Sequence, residues 1–269
     1  MERIKEAISK ARETQHLGSS IRLSPKGRAW QVEKETLDFS YEQTRVVKPD
    51  PAHLSANRII VLPGEDADTV HFDILRTQIL SRMQMEGWKT LAITSPTPGC
   101  GKTVVAINLA LSIAKQTDKT ALLADFDLRK PKVAEYLGLP EGKGITDYLA
   151  GTVPLSEILV NPDVPHLVVL PHMTPIRTST ETLTSGAVKS LVADLRDRYD
   201  SRIVIFDLPP LLASDDTIAF LPQVDCVLLV VSSGQSSPTE VKEAQRKLKA
   251  DNLLGVVLNK STEKHQVYY

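Results

Sequence analysis

Short apolar runs and helical patterns alternate along the chain from Arg58 onward. The runs predict strands at residues 59–62, 90–94, 120–124, 167–170, 203–206, 226–231 and 254–258. Between most of them apolar positions recur at helical spacing, which predicts helices over 67–85, 104–115, 187–198 and 239–250. Unbroken apolar strands separated by helices imply an α/β architecture, a mostly parallel sheet with helices on both faces. Right-handed crossovers then gather the strands' carboxyl ends along one edge, where a ligand would sit. The pattern leaves the strand order open.

Upstream the pattern is weaker. Residues 1–15 read as a short helix with Ile4, Ile8 and Ala11 on one face. Over 16–57 periodicity fades and Pro25, Pro49 and Pro51 interrupt a polar stretch, which reads as a linker or arm. The expected organisation is an N-terminal helix and flexible arm over 1–57, a domain over 58–260 and a flexible tail over 261–269.

A net charge of −1 gives no reason to expect nucleic acid as a partner. Two cysteines, Cys100 in a loop and Cys226 in an apolar strand, suggest free thiols and a reducing cytosol. No apolar stretch approaches bilayer length and no signal-peptide pattern opens the chain. The expectation is a cytoplasmic protein that would reach a membrane through a partner's anchor.

Chemistry enters after the strand ending at Thr94. Ser95, Pro96, Thr97, Pro98, Gly99, Cys100, Gly101, Lys102 and Thr103 lead into an apolar helix. Backbone N–H groups of such a loop can surround phosphate oxygens, with the helix N-terminus adding its positive dipole end. Lys102 would reach the β- and γ-phosphates of a nucleotide and the Thr103 hydroxyl would hold Mg²⁺. The strict P-loop pattern wants glycine where Pro96 stands, so strand, loop and helix together carry the reading.

Two further strand ends carry acids. Asp207 follows the run ending at Phe206 and reads as the Mg²⁺-organising acid of a P-loop enzyme. Asp125 and Asp127 straddle Phe126, so an extended strand end would turn both carboxylates to one side. One could organise the metal while the other accepts a proton from an incoming hydroxyl.

These three motifs together resemble those of the bacterial tyrosine kinases (BY-kinases) of capsule and exopolysaccharide synthesis. Residues 94–103 look like that family's Walker A, 122–129 like its Walker A′ and 203–210 like its Walker B, with similarity running from about 58 to 260. The resemblance implies a P-loop NTPase fold and ATP- and Mg²⁺-dependent phosphorylation of tyrosine on the tails of neighbouring subunits. Carried over, Pro98, Gly99, Cys100, Gly101, Lys102, Thr103, Arg129 and Asn259 would bind the nucleotide, and Thr103, Asp127 and Asp207 the metal. Lys102, Asp125 and Asp127 would be catalytic, with Tyr268 and Tyr269 as phosphoacceptors. The resemblance also implies a separate transmembrane polysaccharide co-polymerase as activator. Family members self-associate in rings through a Glu-x-x-Arg-x-x-Arg motif. The matching positions here are Val70, Asp73 and Arg76, so a contact at Asp73 would be weakened or re-paired and the usual ring is not expected.

Two other readings compete. A MinD/ParA-type ATPase switch shares the core but carries a signature lysine where Thr97 stands. A non-catalytic ATP-binding scaffold would fit the altered association motif and the sparse tail tyrosines. Among the remaining residues, His166 and His172 flank a strand, where loop exposure is expected. Cys100 would fill a tight loop, and Tyr136, Tyr148 and Tyr199 would be helical packing residues.

Overall fold

The computed structural model describes residues 44–60, 67–115, 119–248 and 252–262, all in the unit spanning 35–269. The readings made for residues 1–15, for most of the arm and for Tyr268 and Tyr269 lie outside these residues. Eight strands form one sheet: β1 (Arg45–Val46), β2 (Thr90–Thr94), β3 (Thr120–Asp125), β4 (Val160–Asn161), β5 (Leu167–Leu170), β6 (Arg202–Asp207), β7 (Cys226–Ser232) and β8 (Leu253–Asn259). Their order is β1-β4-β5-β3-β6-β2-β7-β8. All pairs are parallel except β4 with β5.

The central strands are apolar on both faces because each face meets its own core. Leu91, Ile93, Leu123, Ile205 and Leu228 pack with the helices α2 (Ala67–Glu86) and α3 (Lys102–Ala114). Their alternating neighbours Ala92, Leu122, Val204 and Leu229 pack on the other side with Val188, Leu191 and Leu195 of the helix Gly186–Asp197. Period-two alternation assigns each residue its face. Helix α3 is buried nearly all round, which explains its apolar sequence.

Two elements lie where the sequence reads as arm. The strand β1 pairs with β4, and the helix α1 (Pro51–Ala56) docks through Leu54 and through His53 Nε2, 2.7 Å from Glu135 O. Both are too short to display a period, although Asp50 as side-chain N-cap and Pro51 in the first turn are legible helix signals. Ile59 and Ile60, predicted to begin a strand, are irregular. The Ile60 N–H donates instead to Asn108 Oδ1 at 2.6 Å, a side-chain partner on α3 that no strand pattern could announce. The antiparallel β4 was not predicted either, since two residues give no alternation.

Candidate functional site

The three strands that bear the motifs, β2, β6 and β3, lie side by side at the middle of the sheet. Asp125 is in register with Asp207, and Asp207 with Ile93, so both acids and the loop after β2 reach the same carboxyl edge. Phe126, Phe206 and Phe220 pack edge-on or tilted against one another with centroids 5.0–5.1 Å apart. Burial of Phe126 anchors the residue between the two acids, which fixes where Asp125 and Asp127 emerge. Thr94 Oγ1 donates to Pro209 O at 2.7 Å, and Leu211 N to Ser95 O at 2.8 Å, which ties the loop after β6 to the loop after β2.

Gly99 and Gly101 adopt φ of 85° and 88°, the left-handed region that only glycine enters at no steric cost. Gly101 caps α3 without a side-chain hydrogen bond, so no side chain competes for the helix's first N–H groups. Lys102 Nζ lies 2.9 Å from Asp127 Oδ2 and 3.3 Å from Asp207 Oδ1. The Thr103 hydroxyl donates to Asp207 Oδ2 at 2.6 Å. Burial lowers the ammonium's pKa, but Asp207 and then Asp127 outweigh it and hold Lys102 above the ordinary lysine value. Asp207 is pushed up by burial, partly countered by Lys102 and Thr103. Thus one cation serves three carboxylates, Asp125 included, at a buried edge. Thr103, Asp127 and Asp207 offer only oxygen, the donor type that Mg²⁺ prefers, so the site fits a hard divalent ion. Among the described residues there is no group of three or more His, Cys, Asp or Glu that could hold a metal ion.

Asp125 and Asp127 part company. Asp125 accepts from the N–H groups of Asp127 at 3.2 Å and of Lys132 and Val133 at 3.0 Å each. It thereby organises the turn into the helix Val133–Leu137, while burial and then Asp207 raise its pKa. Asp127 accepts from Lys130 N at Oδ1, 3.0 Å away, and meets Lys102 through Oδ2. Arg129 pairs with buried Asp216, Nε to Oδ2 at 2.7 Å and Nη2 to Oδ1 at 3.3 Å. Ser179 and Thr180 also donate to Asp216. Sequence reading missed Asp216; an acid beside Asp215 reads as solvated surface, and its partners lie far away in the chain. Asn259 Nδ2 donates to Cys100 O at 2.9 Å, and Cys100, buried, donates from Sγ to Thr97 O at 3.2 Å.

Two expectations are corrected. His172 is buried at 1% exposure because residues 171–176 fold against Gly144 and Leu128, and burial holds its pKa below the ordinary histidine value. Tyr199 lies beyond the helix Gly186–Asp197 and is exposed, with Arg202 stacked 4.1 Å over its ring, since the helix ends two residues earlier. The predicted re-pairing at Asp73 is internal: Arg76 Nη1 meets Asp73 Oδ1 at 2.7 Å and Ser112 O at 3.0 Å, with Ser112 Oγ donating to Asp73 at 2.7 Å.

A family model described as an AAA domain (AAA_31) matches residues 88–250. The tyrosine-protein kinase YwqD of Bacillus subtilis is 31% identical over 220 residues, covering 81% of this chain and 92% of YwqD. EpsB of Ralstonia solanacearum is 34% identical over 187 residues, 69% of this chain but 24% of EpsB, so the chain spans about a quarter of that relative. Among solved structures, the VpsO kinase domain superposes with a TM-score of 0.64 at 30% identity, covering 73% of this chain and 97% of that one. MinD of Pyrococcus horikoshii, complexed with Mg-ADP, gives 0.52 at 22%, covering 65% and 72%, and shares the fold. With the phosphate loop, the paired acids and the third acid on one sheet edge, the chain belongs to the bacterial tyrosine-protein kinases and carries their P-loop domain.

Proposed function

We propose that this chain is an ATP- and Mg²⁺-dependent protein-tyrosine autokinase whose phosphoacceptors are Tyr268 and Tyr269 on the tails of neighbouring subunits. The observation that carries the reading is Lys102 Nζ lying between Asp127 and Asp207, with Thr103 on Asp207. Phosphoryl transfer asks mainly for positioning and charge neutralisation, and these residues supply both. Bound Mg-ATP would supply the phosphoryl group and the divalent charge. Loop N–H groups and Lys102 bind the phosphates, and Thr103, Asp127 and Asp207 hold the metal. Asp127 is the acceptor for the phenol proton, because Asp125 has its oxygens committed to three backbone N–H groups. Asp125 shapes the turn that carries Asp127.

The same reading places the chain in capsule or exopolysaccharide synthesis, beside a separate transmembrane activator that recruits it to the inner membrane face. No helix among the described residues is long and apolar enough to cross a membrane. The internal Asp73–Arg76–Ser112 contacts support self-association in a form other than the family's usual ring.

The test is incubation of purified protein with Mg-ATP, with and without the activator, followed by mass-spectrometric mapping of phosphotyrosine. Lys102→Met and Asp127→Asn abolish the signal, and Tyr268→Phe with Tyr269→Phe removes most of it. ATP hydrolysis with no phosphotyrosine overturns the kinase reading in favour of an ATPase switch, and binding without turnover in favour of a scaffold.

A further inference from the structure

The acids account for one side of the phosphate loop. Its outward carbonyls are held by side chains from elsewhere in the fold, on the turn after β7 and at the end of β8. Gln235 Nε2 donates to Pro98 O at 3.0 Å, Lys260 Nζ to Gly99 O at 2.6 Å, and Asn259 Nδ2 to Cys100 O at 2.9 Å. Lys260 Nζ also lies 3.5 Å from Gln235 Oε1, so the two side chains brace each other. Three successive loop carbonyls therefore have three side-chain donors.

In a trans peptide the carbonyl and the following N–H point in opposite directions. Holding the carbonyls of Pro98, Gly99 and Cys100 toward β7 and β8 turns the N–H groups of Gly99, Cys100 and Gly101 the other way, all three together. The fit is tight: a Cβ on Gly99 would stand 2.8 Å from Gln235 Nε2, and one on Gly101 2.3 Å from Asn259 Nδ2. Lys260 makes its contact from a backbone φ of 58°, a conformation a lysine adopts only where the surroundings impose it. We infer that Gln235 and Lys260 are positioning residues of the nucleotide site, presetting the loop's N–H groups for phosphate; this rests on the nucleotide-binding reading above. The root of the C-terminal tail is then mechanically part of the phosphate loop.

The experiment measures the Kd for Mg-ADP by calorimetry and the Tm without nucleotide, using the full chain. Gln235→Leu with Lys260→Met weakens binding by about tenfold, as expected for two lost hydrogen bonds. Its Tm stays within about 1 °C of wild type, because both side chains are exposed. Lys260→Arg, which can still donate, restores most of the affinity. Lys260→Gly separates the roles: it relieves the backbone strain and leaves Tm equal or higher, yet it still weakens Mg-ADP. A double-variant Kd within about twofold of wild type, or a loss of affinity that only follows a loss of Tm, overturns the inference. Wild-type protein that fails to bind Mg-ADP overturns the nucleotide reading and this inference with it.

Discussion

Replacing Lys102 with methionine should cost the fold stability as well as the chemistry, and the structure sets the size of the effect. The ammonium lies 2.9 Å from Asp127 and 3.3 Å from Asp207, and Asp125 also feels its charge. Methionine fills the volume and leaves three buried carboxylates with no cation. Removing one partner of a buried ion pair costs about 3–5 kcal/mol. Protonation offsets part of this, since burial already raises Asp125 and Asp207, so about 3 kcal/mol is the expected loss. At about 2–4 °C per kcal/mol for a domain of this size, Tm should fall by about 6–12 °C. The sign with pH follows from linkage. For Asp125 and Asp207 the folded pKa lies above the unfolded one, so protonation favours the fold. That contribution is full below the ordinary carboxylate pKa and is lost as pH rises through the raised folded values. Lys102 lowers both values in the wild type, so its loss raises them further, the variant gains more from protonation, and its Tm deficit should shrink on acidification below neutrality. Melting curves by circular dichroism in EDTA, from neutral pH down to about pH 5, check both points. A Lys102→Met protein that melts with wild type at neutral pH, or whose deficit grows on acidification, refutes the reasoning.

Other consequences are more local. Asp216→Asn leaves Arg129 without its charged partner and should lower Tm by a few degrees, about 1–2 kcal/mol, measured by thermal melting. Burial opposes ionisation of Asp216, yet Arg129, Thr180 and Ser179 hold its pKa below the usual range. Its stabilising share is therefore present above the ordinary carboxylate pKa and disappears as pH falls through the depressed value. Gly101→Ala places a methyl group on Asn259 at φ of 88° and should abolish Mg-ADP binding by calorimetry. Burial pushes the Cys226 thiol up to about 12, so in native protein it should resist alkylation at pH 8, followed by intact mass, and react on unfolding.

The major strands and long helices were legible because each is long enough to show its period. Thr90–Thr94 and Leu167–Leu170 were predicted to the residue, and α3 within two residues at either end. The short pieces were not: β1, β4 and α1 give too few residues for any repeat, and β1 and α1 are held by partners remote in sequence. His172 illustrates the same limit, since loop position argues for exposure and only the segments folded over it bury it.

The site divides along the same line. Lys102, Thr103, Asp125, Asp127 and Asp207 were identifiable from sequence because each sits at a fixed offset from an apolar strand, and strand ends in a parallel sheet share an edge whatever their order. Local spacing could not show that Asp125 turns to backbone N–H groups while Asp127 meets Lys102, because the turn after β3 separates two carboxylates that an extended strand would align. Nor could it show that Arg129 is held by Asp216, or that Gln235 and Lys260 reach the phosphate loop. Those pairings join residues 87 to 161 positions apart, and such distances are closed by the sheet order β3-β6-β2-β7-β8 rather than by any pattern in the chain. The residue types that can hold a nucleotide are written in the sequence; the division of labour among them comes from the packing that brings distant donors and acceptors together.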